Sequence, residues 1–535
     1  MLRGRMGRTR KHWGWGFADE QPSPAELRDA AAAVRAHLGF GSEDVESPVP
    51  LENVRLPPAR ISPPTSLEGI CSASDADRAF HSYGASYRDI VRAFRGRFDH
   101  PTDVVARPGD EDEVAAVLGW AAEAGAAVVP FGGGTSVVGG VEPDVGERFA
   151  GAVTLSLERF DRVLEVDETS LAARIGAGAT GPGLEAQLAE HGLTLRHYPQ
   201  SFQFSTLGGW VATRAGGHFA TRWTHIDDLV ESVRAITPAG EWESRRLPGS
   251  GAGPSPDRML IGSEGALGVI TEAWVRVRPR PASRAQASVR FPDLERGAAA
   301  VRAIVQDGLA PANCRLIDAA EARTTGAGDG SSALLVLGFE AAARSVDGEL
   351  AQALEACGDH GGEWDEPRPG GSGREGAAGS WRDAFLRAPY LRDTFVAMGV
   401  LSETFETAIT WERFPEFHAR ATEAATAALH DACGAGSVTC RFTHVYPDGP
   451  APYFTILAPA RRGEELEQWA QVKAAASDAV IAAGGTITHH HAVGRDHRPW
   501  YDRQRPEPFA RALTAAKAAV DPAGILNPGV LIDPS

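Results

Sequence analysis

The glycine-rich segment 130–140, PFGGGTSVVGG, contains the residue types that can bind a phosphate group. It follows a short apolar run, 126–129, that predicts a buried strand. Three consecutive glycines let the backbone approach a ligand closely, and successive N–H groups in such a turn form a concave anion site. Thr135 and Ser136 add hydroxyl donors. Because the GxGxxG and GK[ST] patterns are absent, we expect a pyrophosphate site that is neither a Rossmann site nor a P-loop.

Taken alone, this segment could be an ordinary surface turn, but three further glycine clusters follow it. They are GAGATGPGLEAQL at 176–188, QSFQFSTLGGWVATRAGGHFATRWTHIDDLVESV at 200–233 and GSEGALGVIT at 262–271. The first of these three could be a plain turn between a strand and a helix. The second is dense in small and hydroxyl residues, which suits a backbone wrapped around a flat, polar ligand. Four such turns in one α+β block are difficult to explain as unrelated surface loops.

Three consecutive histidines, His489, His490 and His491, follow another glycine turn in GGTITHHHAVG. They could be exposed polar residues, a metal cluster or part of an active site. If the segment is a strand, adjacent side chains point to opposite faces, so at most two of the three imidazoles could share one site.

Hydrophobic periodicity places these motifs among alternating helices and strands. Segments 24–38 and 87–94 are predicted helices, and Asp110 begins another, whose apolar side chains recur at helical spacing. Later, a strand at 287–291 begins a second α+β block, and the glycine-rich stretch 367–379 is predicted to be a mobile loop. The strands predicted for the first block cover 153–157, 163–166, 171–175, 233–237 and 269–277.

The composition restricts the class of protein. A chain of 535 residues is too long for one hydrophobic core, so we expect two or three domains. The net charge of −17 argues against a nucleic-acid partner. Five scattered cysteines without a CxxC pair predict a reduced cytosolic protein without structural zinc. No run approaches the ~18 apolar residues of a transmembrane helix, and the basic N-terminus lacks the apolar region of a signal peptide. Arginine greatly outnumbers lysine, which is typical of GC-rich codon usage and favours a bacterial origin.

The glycine motifs, in this order, resemble the FAD-binding domain of the vanillyl-alcohol oxidase superfamily. In that fold the pyrophosphate sits on backbone amides of the first loop, and the isoalloxazine lies at the seam with a cap domain. The resemblance covers roughly residues 100–530. It implies an α+β fold, in which a two-subdomain FAD-binding domain is joined to an α+β cap domain. The first loop contains no His or Cys to tether the flavin, so we expect non-covalent FAD.

Within the superfamily, PANCRLID, YLRD, PYFTI and HHHAVG resemble the alkyldihydroxyacetonephosphate synthase family, and KHWGWG is similar to that family's N-terminal segment. The implied organisation has four parts. They are an N-terminal helical and extended segment (1–95), an FAD-binding domain (96–282), a cap or substrate domain (283–485) and a C-terminal segment returning to the flavin site (486–535).

The resemblance also implies roles for individual residues. Tyr453 matches the family's catalytic tyrosine, and the three consecutive histidines match its catalytic triple histidine. Arg392 of YLRD matches a substrate-binding arginine, and Arg315 of CRLID matches an arginine needed for activity. The implied FAD contacts are Pro130, Phe131, Gly132, Gly133, Gly134, Thr135, Ser136, Gln200, Ser201, Phe202, Gln203, Phe204, Ser205, Thr206, Thr213, Arg214, Ala215, Gly216, Glu264, Gly265, Ala266, Leu267, Gly268, Val269 and Ile270.

The resembled family exchanges the acyl group of acyl-dihydroxyacetone phosphate for a fatty alcohol, in ether-lipid synthesis, with no net oxidation. The implied partners are therefore lipid-like small molecules. Tyr453, activated by a neighbouring His, is the candidate base, and the two arginines are candidate phosphate cations. The predicted location is the bacterial cytoplasm. Homodimer formation and peripheral membrane contact are further predictions, the latter through a basic cluster formed by Arg3, Arg5, Arg8, Arg10 and Lys11.

Flavin-dependent 2-hydroxy-acid dehydrogenases share this fold and typically carry HxGDGNLH-like and EHGIG-like elements that bind a metal. The corresponding regions here read HVYPDGPAPY and HHAVG, so Tyr453 replaces a histidine and His490 replaces a glutamate. A divalent ion would lose two ligands, so we expect no metal site and favour the synthase branch. An FAD-dependent oxidase or dehydrogenase of a 2-hydroxy acid or other small alcohol is the alternative. A flavin-binding scaffold without turnover is a third interpretation.

Overall fold

The computed structural model describes residues 8–365 and 376–533, with the backbone alone described between 376 and 386. The α-helices in these residues are α1 (Pro24–Leu38), α2 (Asp75–Phe80), α3 (Tyr87–Phe94), α4 (Glu111–Glu123), α5 (Gly181–Ala189), α6 (Leu207–Thr213), α7 (Asp257–Leu260), α8 (Leu294–Gln306), α9 (Ala319–Thr324), α10 (Asp347–Asp359), α11 (Gly376–Ala397), α12 (Phe414–Cys433), α13 (Glu465–Ala482), α14 (Arg498–Gln504) and α15 (Glu507–Val520). None of these helices is long and apolar enough to span a bilayer.

The first glycine loop follows a mainly parallel sheet. This sheet contains β1 (Cys71–Ser72), β2 (Val104–Ala106), β3 (Ala127–Phe131) and β4 (Ala152–Ser156), in the order β1-β2-β4-β3. Helix α4 connects β2 to β3 and begins where the sequence predicts, because the Asp110 side chain accepts a hydrogen bond of 2.9 Å from the N–H of Glu113. The loop therefore leaves the carboxyl end of a strand that pairs with β4 along its whole length, which fixes its starting point.

A second, antiparallel sheet packs beside the first. It contains β5 (Val163–Asp167), β6 (Ala172–Gly176), β8 (Val230–Thr237), β9 (Gly240–Glu243) and β10 (Val269–Arg276), in the order β5-β6-β10-β8-β9, while β7 (Leu193–Thr194) pairs with β11 (Arg278–Pro279). The apolar faces of both sheets share one buried core, which includes Val128, Leu155, Ile175 and Val269. This shared core makes one rigid support for all four glycine turns.

A third sheet begins at Ser283 and is antiparallel throughout. It contains β12 (Ser283–Phe291), β13 (Asn313–Ile317), β14 (Ala333–Ala341), β15 (Glu363–Trp364), β16 (Val400–Glu406), β17 (Ser437–Val445) and β18 (Pro450–Pro459), in the order β15-β12-β14-β13-β17-β18-β16. Helices α8, α10, α12 and α13 contribute buried side chains to its separate core. The three sheets confirm the predicted α+β class, while the domain boundaries stay a prediction.

The two ends of the described chain join these parts together. Trp13, Trp15 and Phe17 are buried in the core of the third sheet. Near the other end, Leu526 forms a parallel bridge with Val128 of β3, and the Asn527 side chain donates to the carbonyl of Gly140. The C-terminal segment thus returns to the edge of the first glycine loop.

The glycine-rich stretch 367–379, predicted as a mobile loop, lies largely outside the described residues. Its last residues, from Gly376 onward, begin α11 rather than a loop. This helix carries Arg392 towards its C-terminal end.

Candidate active site

One cavity of about 570 Å³ brings together the first glycine loop, the cluster that begins at Gln200 and the candidate catalytic side chains. Its wall includes Tyr453, His490, His491, Arg315 and Arg392. The implied FAD contacts that also line it are Gly132, Gly133, Gly134, Thr135, Ser136, Gln200, Ser201, Ser205, Thr206, Thr213, Ala215 and Gly216. The candidate catalytic groups therefore face the same space as the first glycine loop and the cluster at 200–217, whereas the clusters at 176–188 and 262–271 do not line it.

The first glycine loop presents unused backbone donors to this cavity. Within the described part of the chain, the N–H groups of Gly133, Gly134 and Thr135 donate to no backbone or side-chain acceptor. Gly133 is buried, while Gly134 and Thr135 are half-buried, so this row of free donors is available to an acceptor from outside the chain. A diphosphate supplies such acceptors, and the loop therefore fits the pyrophosphate of FAD.

Two of the loop glycines are required by close packing. A Cβ on Gly133 would lie 1.9 Å from the carbonyl oxygen of Phe204, so the two cofactor loops touch through their backbones. Gly134 has a φ of +66°, and its Cβ would lie 2.6 Å from the ring of Phe131. A side chain at either position would displace the donors from the cavity.

We expect Gly133→Ala to yield folded but colourless protein, because the methyl group must push the two loops apart. Gly119→Ala is the matched control. A Cβ at this helical position meets nothing within 4 Å, and alanine there should stabilise the helix by about 0.5–1 kcal/mol. The ratio of flavin to protein absorbance, with circular dichroism as the check on folding, gives the comparison. Full flavin content in Gly133→Ala would contradict the assignment of this loop.

Several implied FAD contacts do not reach the cavity wall. Pro130 and Phe131 belong to β3, beneath the loop. Phe202 packs near Trp210, and Phe204 packs against Phe17 of the N-terminal segment. Gln203 and Arg214 do not line the cavity either, and the Arg214 guanidinium instead binds Asp227 at 2.9 Å.

The segment Glu264–Ile270 likewise does not line the cavity. The Glu264 carboxylate accepts hydrogen bonds of 2.9 and 2.8 Å from the N–H groups of Val493 and Gly494. Burial raises the pKa of Glu264 to about 7. The segment thus connects the flavin-binding sheets to the C-terminal segment, and direct contact of these residues with FAD stays a prediction.

Tyr453 lies in a cross-strand row of three functional side chains. On β18 it pairs in register with Arg441 of β17 and with Glu406 of β16. The Arg441 guanidinium lies 3.9 Å from the centre of the Tyr453 ring, and it also binds Glu321 at 2.9 Å. This stacking fixes the ring and places a positive charge beside it.

The histidine triplet does not form a strand, and two of its three imidazoles, those of His490 and His491, line the cavity, whereas His489 does not. Residues 486–492 follow an irregular path wound around the buried carboxylate of Glu406. That carboxylate accepts hydrogen bonds from the N–H groups of all three histidines, at 2.6 Å for His489, 3.1 Å for His490 and 3.0 Å for His491. Alternation of side chains requires extended backbone, and Glu406 imposes a different one here.

Glu406 stays ionised although it is buried. Burial raises its pKa, but the hydrogen bonds from the Thr488 hydroxyl and the His491 N–H favour the charged form, and the pKa lies below its usual range. The charge therefore stabilises the turn that presents the triplet.

The imidazoles themselves are neutral. Burial lowers the pKa of His490 to about 3, and burial holds the pKa values of His489 and His491 well below their usual range. The His490 and His491 rings lie 6.1 and 5.5 Å from the Tyr453 ring, between centroids. Two neutral imidazoles beside a phenol can accept a proton.

His444 of β17 and Tyr446, one residue beyond its end, also belong to this cluster, although sequence analysis assigned them no role. The Tyr446 hydroxyl lies 2.7 Å from His489 Nε2, and His489 Nδ1 lies 3.0 Å from His490 Nδ1. His444 Nε2 lies 3.0 Å from the carbonyl oxygen of Gly217. The sequence did contain one signal for this pair. His444 and Tyr446 are two residues apart in HVYPDGPAPY, and this spacing places two side chains on the same face of a strand.

Among the described residues, neither Arg315 nor Arg392 forms an ion pair with a carboxylate. Arg315 is buried and donates to the carbonyl of His218 at 3.2 Å, and one of its NH groups has no partner among the described residues. Burial, with the nearby Arg441, lowers the pKa of Arg315 to about 10, so the group stays charged at neutral pH. Arg392 is half-buried and donates to the carbonyl of Ala85 at 3.0 Å. Both cations can bind an anion in the cavity.

One wall of the cavity is apolar. Val34 and Leu38 of α1, Phe395 of α11 and Leu457 of β18 pack in one hydrophobic cluster and line the cavity. This wall can accommodate a hydrocarbon chain, whose location the sequence did not indicate.

Two families of FAD proteins match successive parts of the chain. The FAD binding domain matches residues 102–244, and the FAD linked oxidases, C-terminal domain, matches residues 280–531. Alkyldihydroxyacetonephosphate synthase of Caenorhabditis elegans is 30% identical over 484 residues, which cover 85% of this chain and 80% of the relative. The chain belongs to the alkyldihydroxyacetonephosphate synthase family.

Two further comparisons agree with this membership. The alkyldihydroxyacetonephosphate synthase of Trypanosoma brucei brucei is 29% identical over 513 residues, covering 89% of this chain and 82% of the relative. A solved structure of an alkyldihydroxyacetonephosphate synthase has a TM-score of 0.80 at 25% identity, covering 97% of this chain and 98% of that one. The predicted family, fold, FAD cofactor and enzyme class are confirmed. Because both named organisms are eukaryotes, the bacterial origin stays a prediction.

Proposed function

We propose that this chain exchanges the acyl group of an acyl-dihydroxyacetone phosphate for a long-chain fatty alcohol. The observation that carries the proposal is the meeting of Tyr453, two neutral imidazoles, two available arginines and an apolar wall in the cavity that the cofactor loops also line. Each feature answers one requirement of a substrate that joins a phosphate, an acidic carbon and a hydrocarbon chain. Bound FAD would supply the electrophilic ring system that such an exchange needs.

The proton transfers can be assigned to this chain's own side chains. An imidazole of His490 or His491 first accepts the hydroxyl proton of Tyr453, and Arg441 on the ring face stabilises the resulting phenolate. The phenolate then removes the proton from C1 of the substrate. The ester C1–O bond breaks, the fatty acid leaves with both of its oxygens, and the alcohol oxygen forms the new C1–O bond. The phenol of Tyr453 returns a proton to C1, the alcohol proton balances the released acid, and no electrons are gained or lost.

The substrate phosphate is assigned to the arginines. Arg392→Lys should raise KM for the acyl substrate by about tenfold while leaving kcat within about twofold, since an ammonium group cannot reproduce a bidentate fork. Arg387→Lys is the matched control, because this residue is exposed on the same helix. Initial rates over a range of acyl substrate give both parameters. An unchanged KM in Arg392→Lys would remove this residue from the phosphate site.

The direct test supplies palmitoyl-dihydroxyacetone phosphate and deuterated hexadecanol to the FAD-loaded enzyme. We expect deuterated hexadecyl-dihydroxyacetone phosphate and palmitate in equal amounts, measured by mass spectrometry. Palmitate without the alkyl product would indicate a hydrolase and would overturn the proposal.

One observation favours the alternative, an FAD-dependent 2-hydroxy-acid dehydrogenase with a metal. The possible ligand nitrogens of His444, His489 and His490 all lie within 4.8 Å of one another. However, the nitrogens of His489 already lie within hydrogen-bond distance of Tyr446 and His490, and no carboxylate belongs to the set within the described residues. The absence of a metal in the working enzyme therefore stays our prediction.

We expect active enzyme to contain no stoichiometric zinc, iron or manganese and to keep its rate in EDTA, because the imidazoles are engaged with each other and with Tyr446. Elemental analysis and an EDTA titration provide the measurements. Loss of activity that one of these metals restores would favour the dehydrogenase.

The remaining predictions concern partners, location and domain limits. We propose a homodimer, peripheral membrane contact and the four-part division of the chain stated above. The basic cluster gives the membrane contact little support. Arg8 binds Asp19 and Glu20, while Lys11 binds Asp393. Arg3 and Arg5 lie outside the described residues.

A further inference from the structure

The N-terminal segment 8–20, which contains KHWGWG, contacts the helix that carries Arg392. Lys11 Nζ lies 3.0 Å from the Asp393 carboxylate of α11, and the N–H of Trp15 donates to the same carboxylate at 3.0 Å. A Cβ on Gly14 would lie 2.5 Å from the Asp393 oxygens, so only glycine permits this approach. The segment thus binds the Asp393 carboxylate through both a side chain and a backbone N–H.

The same segment also contacts both cofactor loops. The Arg10 guanidinium donates to the carbonyl of Gly133 at 2.9 Å and lies 4.4 Å from the ring centre of Phe204. The Phe17 ring packs edge-on against Phe204 at 5.5 Å between centroids. Residues 8–20 therefore form a strap, anchored on the flavin side at Gly133 and Phe204 and on the cap side at Asp393.

The contact with Asp393 is a buried ion pair. The side chains of Lys11 and Asp393 are 5% and 3% exposed. Removing one partner leaves an uncompensated buried charge, which is much more costly than losing a surface pair. The pair therefore holds α11 in one position as long as both members are present.

The position of Arg392 depends on its neighbour in the chain. Consecutive Cα atoms are ~3.8 Å apart, so a shift of Asp393 moves Arg392 with it. In the described structure the Arg392 side chain has a single hydrogen bond, to the carbonyl of Ala85. That one contact is too weak to fix a long side chain against its rotamer freedom.

We propose that residues 8–20 position Arg392 for the substrate, with the Lys11–Asp393 pair as the latch. Lys11 and Asp393 are positioning residues that act through the backbone of α11. The consequence for catalysis rests on the function proposed above, whereas the mechanical coupling does not.

Hydrogen exchange measured by mass spectrometry tests the coupling in the FAD-loaded protein. Lys11→Met should speed exchange of the backbone amides of residues 390–397 by at least about fivefold. Arg8→Met is the matched control, because Arg8 pairs with Asp19 and Glu20 inside the strap. It should leave these amides unchanged. Unchanged exchange in Lys11→Met would overturn the proposal.

If Lys11→Met fails to fold, the double variant Lys11→Met/Asp393→Asn removes both charges and leaves none uncompensated. It should still show the faster exchange at 390–397. Protection equal to that of the parent protein would overturn the latch.

A kinetic measurement separates this proposal from the proposed function. In an active enzyme, Lys11→Met should raise KM for the acyl substrate by about tenfold and change kcat by less than about twofold, as expected for a displaced phosphate ligand. A fall in kcat with KM unchanged would mean that residues 8–20 only stabilise the fold, and it would contradict their proposed role in positioning Arg392. Faster exchange in a protein that lacks acyl-exchange activity altogether would leave the latch intact and contradict the function instead.

Discussion

Tyr453→Phe should retain FAD and the fold but lose about 10²–10⁴-fold of the acyl-exchange rate, the usual contribution of a positioned acid or base. The substitution removes only the hydroxyl group. The ring still stacks under Arg441, so the cross-strand row with Arg441 and Glu406 is preserved. Steady-state kinetics with a flavin absorbance spectrum of the same sample measure both properties.

Tyr501→Phe is the matched control, since this tyrosine is partly buried on α14 and does not line the cavity. We expect its activity to equal that of the parent enzyme. If Tyr453→Phe retained more than about a tenth of the rate, the base would have to be another group, and the neutral imidazole of His490 would be the next candidate.

Glu406→Gln should cost both stability and activity. The amide keeps one acceptor oxygen, whereas the carboxylate accepts the N–H groups of His489, His490 and His491 and the Thr488 hydroxyl. Each buried donor left without an acceptor costs about 1–3 kcal/mol. We expect a lower Tm and a rate at least about tenfold lower, because the triplet no longer holds its turn.

Glu403→Gln separates the two effects. Glu403 is buried on the same strand and binds Lys473 and the Trp469 indole, away from the triplet. The Glu403→Gln variant should have a lower Tm and a kcat nearly equal to that of the parent enzyme. An equal loss of kcat in both variants would mean that general destabilisation, rather than the shape of the triplet turn, explains the effect of Glu406→Gln.

Local sequence signals predicted much of the fold. Helices α1 and α3 have the predicted bounds. Their serine N-caps, the helical spacing of their apolar residues and the Gly or Arg that follows each helix are all features of the nearby sequence. The first glycine loop was identified from three consecutive glycines after an apolar strand. These features need no knowledge of distant residues.

The organisation of the site could not be predicted in the same way. Glu406 and Arg441 flank Tyr453 only because β16, β18 and β17 pair in one register, and sequence spacing does not reveal that register. The limit of two imidazoles assumed extended backbone at the triplet, because no local residue indicates a turn there. The cause of the turn is the distant Glu406 carboxylate.

At Glu264 the sequence indicated a close contact but not the group that is contacted. A glycine turn that leads into a strand indicates a close backbone approach, but it does not say what is approached. Here Gly265 approaches Pro130, with its Cβ position 2.9 Å from the proline ring, and Glu264 binds the C-terminal segment. The turn therefore has a demonstrated packing role.

Acyl exchange without an electron acceptor is the central claim, and a count of anaerobic turnovers tests it most directly. The FAD-loaded enzyme is mixed under argon with excess palmitoyl-dihydroxyacetone phosphate and hexadecanol, while flavin absorbance and alkyl product are followed together. We expect many product molecules per flavin, with the flavin still oxidised at the end. Absence of alkyl product from the lipid pair, together with full bleaching by D-lactate, glycolate or D-2-hydroxyglutarate and turnover only with an acceptor, would contradict it.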